Sequence, residues 1–280
     1  MIKLVGIFGD PIDHVASPRM HNLAFTYLGI DMVYVAFKVK PEDLKAAVES
    51  IKVLGIAGVN VTVPHKENIM KYLDEVDPFA KFIGAVNTIK NNDGKLIGYN
   101  TDANGFISSI KGEGEFEPRG KKVIIIGAGG AARAIAFALA QRKAKEITLC
   151  DVIHGKAEKL AADLKNNFES EIYIKNKDSE EFKEYIKTTD LIVNASPVGM
   201  SPNVEKTPID DFDIISDKHF VYDVIYRPRK TKFLVEAEKK GAKVLGGGGM
   251  LIGQAVEAFK IFTGKEAPYD IMSRALYEIE

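Results

Sequence analysis

The chain has 280 residues, 46% of them apolar and 28% charged, a composition that builds packed cores rather than a disordered polymer and a length that suits two domains. Its 38 Lys and Arg against 39 Asp and Glu leave a formal net charge of -1, so no overall field draws it to nucleic-acid phosphates or anionic lipid. The single cysteine, Cys150, excludes an internal disulfide and a Cys-rich zinc cluster and suits a reducing compartment, the cytoplasm.

In chain order, the first apolar run, residues 3–8, is broken by Gly6 and followed by Gly9 and Pro11. It is shorter than the core of a signal peptide and reads as a strand. No later stretch approaches the roughly 18 apolar residues of a membrane span. Further strands are expected at 31–38 and 58–63, with helices at 18–28 and 41–51 whose leading prolines suit a first helical turn. A charged stretch at 111–122, interrupted by Gly112, Gly114, Pro118 and Gly120, breaks the pattern. It restarts with a strand at 122–126, an Ala-rich helix at 131–141, a strand at 146–150 and a helix at 156–166. Strands at 191–194, 219–223 and 243–245 follow, then helices at 251–262 and 269–277. The mixed charges of 175–187 read as the solvated face of a surface helix. Alternating strands and helices with two separate starts predict an α/β fold of two domains, the second a doubly wound parallel sheet.

Gly127-Ala128-Gly129-Gly130-Ala131-Ala132 lies between that second-series strand and its Ala-rich helix, satisfying G-x-G-x-x-G/A. Gly127 permits the tight turn and Gly129 the approach of a pyrophosphate. Ala132 lets helix and strand pack closely, and the helix N-terminus offers N–H groups to an anion. Asp151 closes the next strand, at roughly the ~20-residue offset of the acidic side chain that binds the ribose hydroxyls of NAD. A 2′-phosphate about 4 Å from this carboxylate would be repelled by roughly 4 kcal/mol per pair of unit charges at an effective dielectric of 20. Only Lys156 is near in sequence to offset it. NAD is the favoured cofactor and NADP the alternative; the competing role for Asp151 is to cap a turn.

In Gly58-Val59-Asn60-Val61-Thr62-Val63-Pro64-His65-Lys66 the valines alternate with Asn60 and Thr62, so one strand face is polar. A strand covered by helices is expected to be apolar on both faces, so the polar face lies near a sheet edge or lines a site. Gly84-Ala85-Val86-Asn87-Thr88 and Gly98-Tyr99-Asn100-Thr101-Asp102 are of the same kind. With Ser17 they supply neutral hydrogen-bonding groups around one cation, Lys66, and one anion, Asp102, a set that suits a small polyol.

These segments, together with Gly9-Asp10-Pro11 through Ser17-Pro18, His21-Asn22, Asn194-Ala195-Ser196-Pro197-Val198-Gly199-Met200 and Gly249-Met250-Leu251-Ile252-Gly253-Gln254, resemble in order and along nearly the whole chain the shikimate dehydrogenase family, which includes quinate/shikimate dehydrogenases. The resemblance implies hydride transfer between a nicotinamide dinucleotide and the 3-hydroxyl of shikimate, with Lys66 and Asp102 as the acid/base pair. It places Val15, Ser17, Asn60, Thr62, Asn87, Tyr226 and Gln254 at substrate-binding positions. At cofactor-binding positions it places Gly127, Ala128, Gly129, Gly130, Ala131, Asp151, Asn194, Ser196, Val224 and Gly247. It divides the chain into a substrate-binding and catalytic domain, 1–102 plus 247–280, and an NAD(P)-binding Rossmann domain, 103–246.

Two departures bear on specificity. Where the family reads His-Ser-x-Ser-Pro, Val15 replaces the first serine. A hydrogen bond to a charged group contributes about 1.5–3 kcal/mol, so the substrate carboxylate loses a donor unless His14 replaces it, or the substrate is a relative of shikimate such as quinate. Asp151-Val152-Ile153 stands where NADP-using members carry Asn-Arg-Thr, which agrees with the charge argument for NAD and suits a catabolic quinate/shikimate role. Ser196 stands where threonine is usual. The five histidines lack metal-ligand spacing and no metal is expected. The expected partner is a small-molecule substrate, with no nucleic acid and no membrane, and the residues carry no reading of oligomeric state. A competing class is a non-catalytic sensor of dinucleotide and ligand, supported by Val15 and opposed by Lys66 and Asp102.

Overall fold

The computed structural model describes residues 2–278 except His14 and Asp178, and the side chain of His154 is likewise outside the described set. The chain forms two compact units. One runs to Gly105 and resumes at Ile252; the other is Phe106–Leu251.

The first unit contains β1 (Lys3–Gly9), α1 (Ser17–Tyr27), β2 (Met32–Lys38), α2 (Leu44–Val53), β3 (Gly58–Val61), β4 (Glu75–Val76), α3 (Pro78–Ile83), β5 (Thr88–Asn92) and β6 (Lys95–Tyr99). Its sheet runs β2-β1-β3-β5-β6-β4. β1 is parallel to both neighbours, while β5 is antiparallel to both of its own, so this sheet is mixed. The last five residues of β1 are buried, as expected of a strand covered on both faces. Val59, Val61 and Phe8 join Leu44, Val48 and Ile51 of α2 in one core. The strand expected over 58–63 ends at Val61, because the Thr62 carbonyl accepts from His65 N at 2.9 Å and turns the chain. The β5–β6 hairpin was not expected. Its signal is Asp93-Gly94, both with positive φ (50° and 91°), the dipeptide that tight hairpins favour.

α4 (Asp102–Gly112) begins in this unit and ends in the second. There follow β7 (Lys122–Ile126), α5 (Gly130–Gln141), β8 (Glu146–Cys150), α6 (His154–Lys165), β9 (Glu171–Ile174), α7 (Glu180–Lys187), β10 (Leu191–Asn194), β11 (Phe220–Asp223), α8 (Lys232–Lys239), β12 (Lys243–Gly246), α9 (Gly248–Thr263) and α10 (Tyr269–Tyr277). The second sheet is parallel throughout, in the order β12-β11-β10-β7-β8-β9. The chain reverses direction across the sheet between β7 and β10, the switch point at which open α/β sheets bind ligands beyond their strand C-termini. α5 is Ala-rich because residues 132–140 are all buried, which small side chains permit at close range. The charged segment 175–187 supplies α7 only from Glu180, where the Ser179 hydroxyl accepts from Phe182 N at 3.1 Å.

Candidate functional site

In the first unit, Lys66 follows the turn after β3 and Asp102 opens α4. Lys66 Nζ donates to Asp102 Oδ2 at 2.6 Å, with side-chain exposures of 15% and 7%. The other carboxylate oxygen accepts from Asn87 Nδ2 at 3.0 Å, and the same amide donates to Thr101 Oγ1 at 2.9 Å. Asn87 Oδ1 accepts from Thr101 N at 2.8 Å and Thr88 Oγ1 at 3.1 Å. Asn100 Oδ1 accepts from Asp102 N at 3.1 Å and so fixes the backbone at the start of α4. Both carboxylate oxygens and the N–H of Asp102 are thus hydrogen bonded, and beside the Asp102 contact the Lys66 ammonium has two further N–H groups for an oxygen ligand.

The polar face of β3 is neither at an edge nor open. Asn60, 4% exposed, donates to Asn87 O (3.2 Å) and Thr88 Oγ1 (2.9 Å) and accepts from Tyr34 Oη at 2.7 Å. Ser17, also buried, is hydrogen bonded to the Tyr34 phenol. Burial pushes that phenol well above its ordinary range, so it stays a neutral donor. A connected network thus runs from Ser17 through Tyr34, Asn60, Thr88 and Asn87 to Asp102 and Lys66. Thr88, Asn100 and Thr101 belong to the polar segments expected around the pair, whereas Tyr34 was not expected in the network. Tyr34 is the buried residue between exposed Val33 and Val35, a difference of burial that the apolar run of β2 does not display in sequence. Val15, Thr62 and Gln254 lie in the same unit, partly buried; His14 lies outside the described residues. His21 is fully buried, stacked on Tyr34 with ring centroids 4.5 Å apart, and neither ring nitrogen has a hydrogen-bond partner. That burial lowers its pKa to about 3.

In the second unit, Gly127 has φ +115°, and a Cβ there would stand 2.8 Å from Ala195 O, so both conformation and space require glycine. At Gly129 a Cβ would meet nothing within 4 Å, and no side chain caps α5. The loop and helix start form an open cradle of backbone donors that fits a pyrophosphate. Asp151 Oδ2 accepts from Ala128 N at 2.6 Å and Oδ1 from Ile153 N at 2.7 Å. The carboxylate caps its own turn and is at the same time held against the glycine loop.

Asn194, at the end of β10, accepts on Oδ1 from Ser196 N (3.1 Å) and Ser196 Oγ (2.7 Å) and donates to Val198 O at 3.0 Å. Val224 N donates to Asn194 O at 3.0 Å and Gly247 N to Ile225 O at 3.1 Å. A Cβ on Gly247 would lie 2.0 Å from Val224 O. The expected cofactor residues of this unit therefore lie at the C-terminal ends of its parallel strands, with Tyr226 two residues beyond Val224. Arg227 and Arg229 beside it are exposed. Asp223 was not expected: it is fully buried, and burial raises its carboxyl to about 6. Among the described residues no group of three His, Cys, Asp or Glu side chains could hold a metal ion, and no helix is long and apolar enough to cross a membrane.

Three family models match: the shikimate dehydrogenase substrate binding domain over residues 7–89, the shikimate 5'-dehydrogenase C-terminal domain over 247–277, and the saccharopine dehydrogenase NADP binding domain over 123–210. A shikimate dehydrogenase (NADP(+)) of Methanopyrus kandleri is 44% identical over 99% of this chain and 95% of its own. The shikimate 5-dehydrogenase of Listeria monocytogenes, solved in complex with shikimate and NAD, is 38% identical with a TM-score of 0.90, covering 99% of this chain and 96% of its own. Quinate dehydrogenase from Corynebacterium glutamicum, in complex with NAD, is 30% identical with a TM-score of 0.89, covering 99% of each chain.

Proposed function

The chain belongs to the shikimate dehydrogenase family and is an oxidoreductase of CH–OH groups that uses a nicotinamide dinucleotide; from this premise we propose that Lys66 and Asp102 are its acid/base pair in interconverting shikimate and 3-dehydroshikimate. The observation that carries the reading is the 2.6 Å ammonium–carboxylate contact, fixed from behind by Asn87 and Asn100. A dinucleotide held at the glycine loop would supply or accept the hydride at C3. In the reducing direction negative charge develops on the C3 oxygen, and the Lys66 ammonium holds that oxygen and passes it a proton. In the oxidising direction the hydroxyl proton leaves to the same pair, and Asp102 stabilises the ammonium that results. Ser17, Asn60, Thr62, Asn87, Tyr226 and Gln254 are proposed to bind the substrate, and the 102 and 247 junctions to divide its domain from the dinucleotide domain.

NAD is the preferred dinucleotide in this reading, because the Asp151 carboxylate is held against the glycine loop by Ala128 N. The Methanopyrus relative is named for NADP(+), so the preference rests on Asp151 alone. Val15 favours a second substrate, quinate or a related cyclic polyol acid, since it offers no donor to a carboxylate. Steady-state assays of the full chain with NAD and NADP against shikimate and quinate separate these readings. Shikimate turnover with NAD preferred is expected. Better turnover of quinate supports the second reading, an NADP preference removes the role given to Asp151, and ligand binding without turnover by any pair marks a sensor.

A further inference from the structure

The most costly group in the second unit is one the reaction does not use directly. Asp223 ends β11 with 0% exposure, and a buried carboxylate without a cation is retained only where its acceptor capacity is needed. The strands on either side bring no charge to this end, β10 closing with Ile192-Val193-Asn194 and β12 with Val244-Leu245-Gly246. The cations of the adjoining segment, Arg227, Arg229, Lys230 and Lys232, are exposed, and Lys230 and Lys232 pair with Glu238 and Glu205. Three donors converge on the carboxylate instead. Oδ1 accepts from Asn194 Nδ2 at 3.1 Å and Ile225 N at 3.0 Å, and Oδ2 from Thr231 Oγ1 at 2.7 Å.

Each donor fixes a different segment. Asn194 orders the turn through Ser196 and Val198, Ile225 sits between Val224 and the Gly247 contact, and Thr231 caps α8 by accepting from Leu234 N at 3.4 Å. We propose that Asp223 is a positioning residue for dinucleotide binding, an acceptor hub that holds the 194–198 and 224–231 segments at the C-terminal ends of the parallel strands in the one arrangement that receives the nicotinamide end. The proposal rests on the dinucleotide reading of those segments. Removing the hub leaves the network of Lys66 and Asp102 untouched, so dinucleotide affinity and substrate affinity separate.

The test uses the full chain and whichever of NAD and NADP the wild type binds more tightly, with dinucleotide and shikimate affinities and steady-state constants measured for Asp223→Ala and Asp223→Asn. The expected result for Asp223→Ala is a Kd and KM for dinucleotide raised tenfold or more with the shikimate Kd within twofold of wild type. Asp223→Asn keeps two acceptor bonds on Oδ1 and turns its amide toward Thr231 Oγ1, so it restores dinucleotide affinity to within threefold. Unchanged dinucleotide affinity in Asp223→Ala overturns the proposal, as does equal loss of both affinities. If Asp223→Ala does not fold, Thr231→Val decides: a dinucleotide KM raised threefold or more at unchanged shikimate affinity supports the hub, and no change overturns it. A wild type that binds neither dinucleotide refutes the underlying reading instead.

Discussion

Asp151 serves two ends with one carboxylate, accepting from Ile153 N to close its own turn and from Ala128 N to brace the glycine loop. Its carboxylate is therefore held beside the loop, and the proposed NAD preference rests on its repelling a 2′-phosphate there. Asp151→Asn keeps an acceptor and removes the charge, so the ratio of kcat/KM for NADP over NAD is expected to rise about 10- to 100-fold; an unmoved ratio contradicts the assignment. Lys66, Asp102, Asn60 and Asn87 were legible in the sequence because each sits in a short run whose polar residues interrupt an apolar period. Tyr34 and Asp223 were not, because a single tyrosine or aspartate in an otherwise apolar strand looks the same whether it faces solvent or a buried network.

At the scale of elements, β2 is an edge strand, and α1 covers part of its open side. Asn22 Nδ2 donates to Tyr34 O at 2.9 Å and Tyr34 N donates to Asn22 Oδ1 at 2.8 Å, so one amide replaces a missing strand partner. Asn22→Ala leaves both main-chain groups of Tyr34 without it. The expected loss is about 1–3 kcal/mol, read from the denaturant midpoint at constant m-value. Because Tyr34 carries Asn60, turnover should fall as well; stability at the wild-type level would show that solvent serves the edge as well as Asn22 does. Gly127→Ala would place a Cβ 2.8 Å from Ala195 O at a φ of +115°, and dinucleotide binding is expected to be lost before shikimate binding. Five strands of the second unit were legible nearly to the residue, since the buried ones are continuous apolar runs; β9, an edge strand with one buried residue, was missed. β5 and β6 were missed because Lys90, Asn91 and Asn92 hide an antiparallel pair inside a polar stretch, leaving only Asp93-Gly94 to mark it.

At the scale of the whole molecule, one buried group in each unit, His21 in the first and Asp223 in the second, shifts stability with pH in the opposite sense to the other. Unfolded, His21 takes a proton near pH 6.5, and folded only near pH 3. Protonation between those values favours unfolding, so the unit of α1 keeps the full stability above pH 6.5 and loses it as pH falls. Asp223 gives up its proton near pH 3.8 when unfolded and near 6 when folded. Its contribution is therefore fully present below 3.8 and is lost as pH rises through about 6. Each shift changes stability by about 1.4 kcal/mol per pH unit inside its window. Between pH 7 and pH 5, hydrogen-exchange protection is expected to fall in the first unit and to rise in the second, with His21→Leu and Asp223→Asn each flattening its own trend. Parallel trends in the two units would contradict this. That the chain holds two domains was legible from the restart of strand–helix alternation at 122, whereas the reversed pH responses rest on burial, which the sequence does not display.

In the proposed reaction Lys66 moves a proton at an oxygen whose carbon exchanges hydride. The most direct test is single-turnover formation of reduced dinucleotide from shikimate by wild type and Lys66→Met, with shikimate and dinucleotide affinities measured on the same preparations. A fall of about 10²- to 10⁴-fold in the chemical step, with both affinities within a few-fold of wild type, is the predicted result. A Lys66→Met protein that reduces the dinucleotide at the wild-type rate would contradict it.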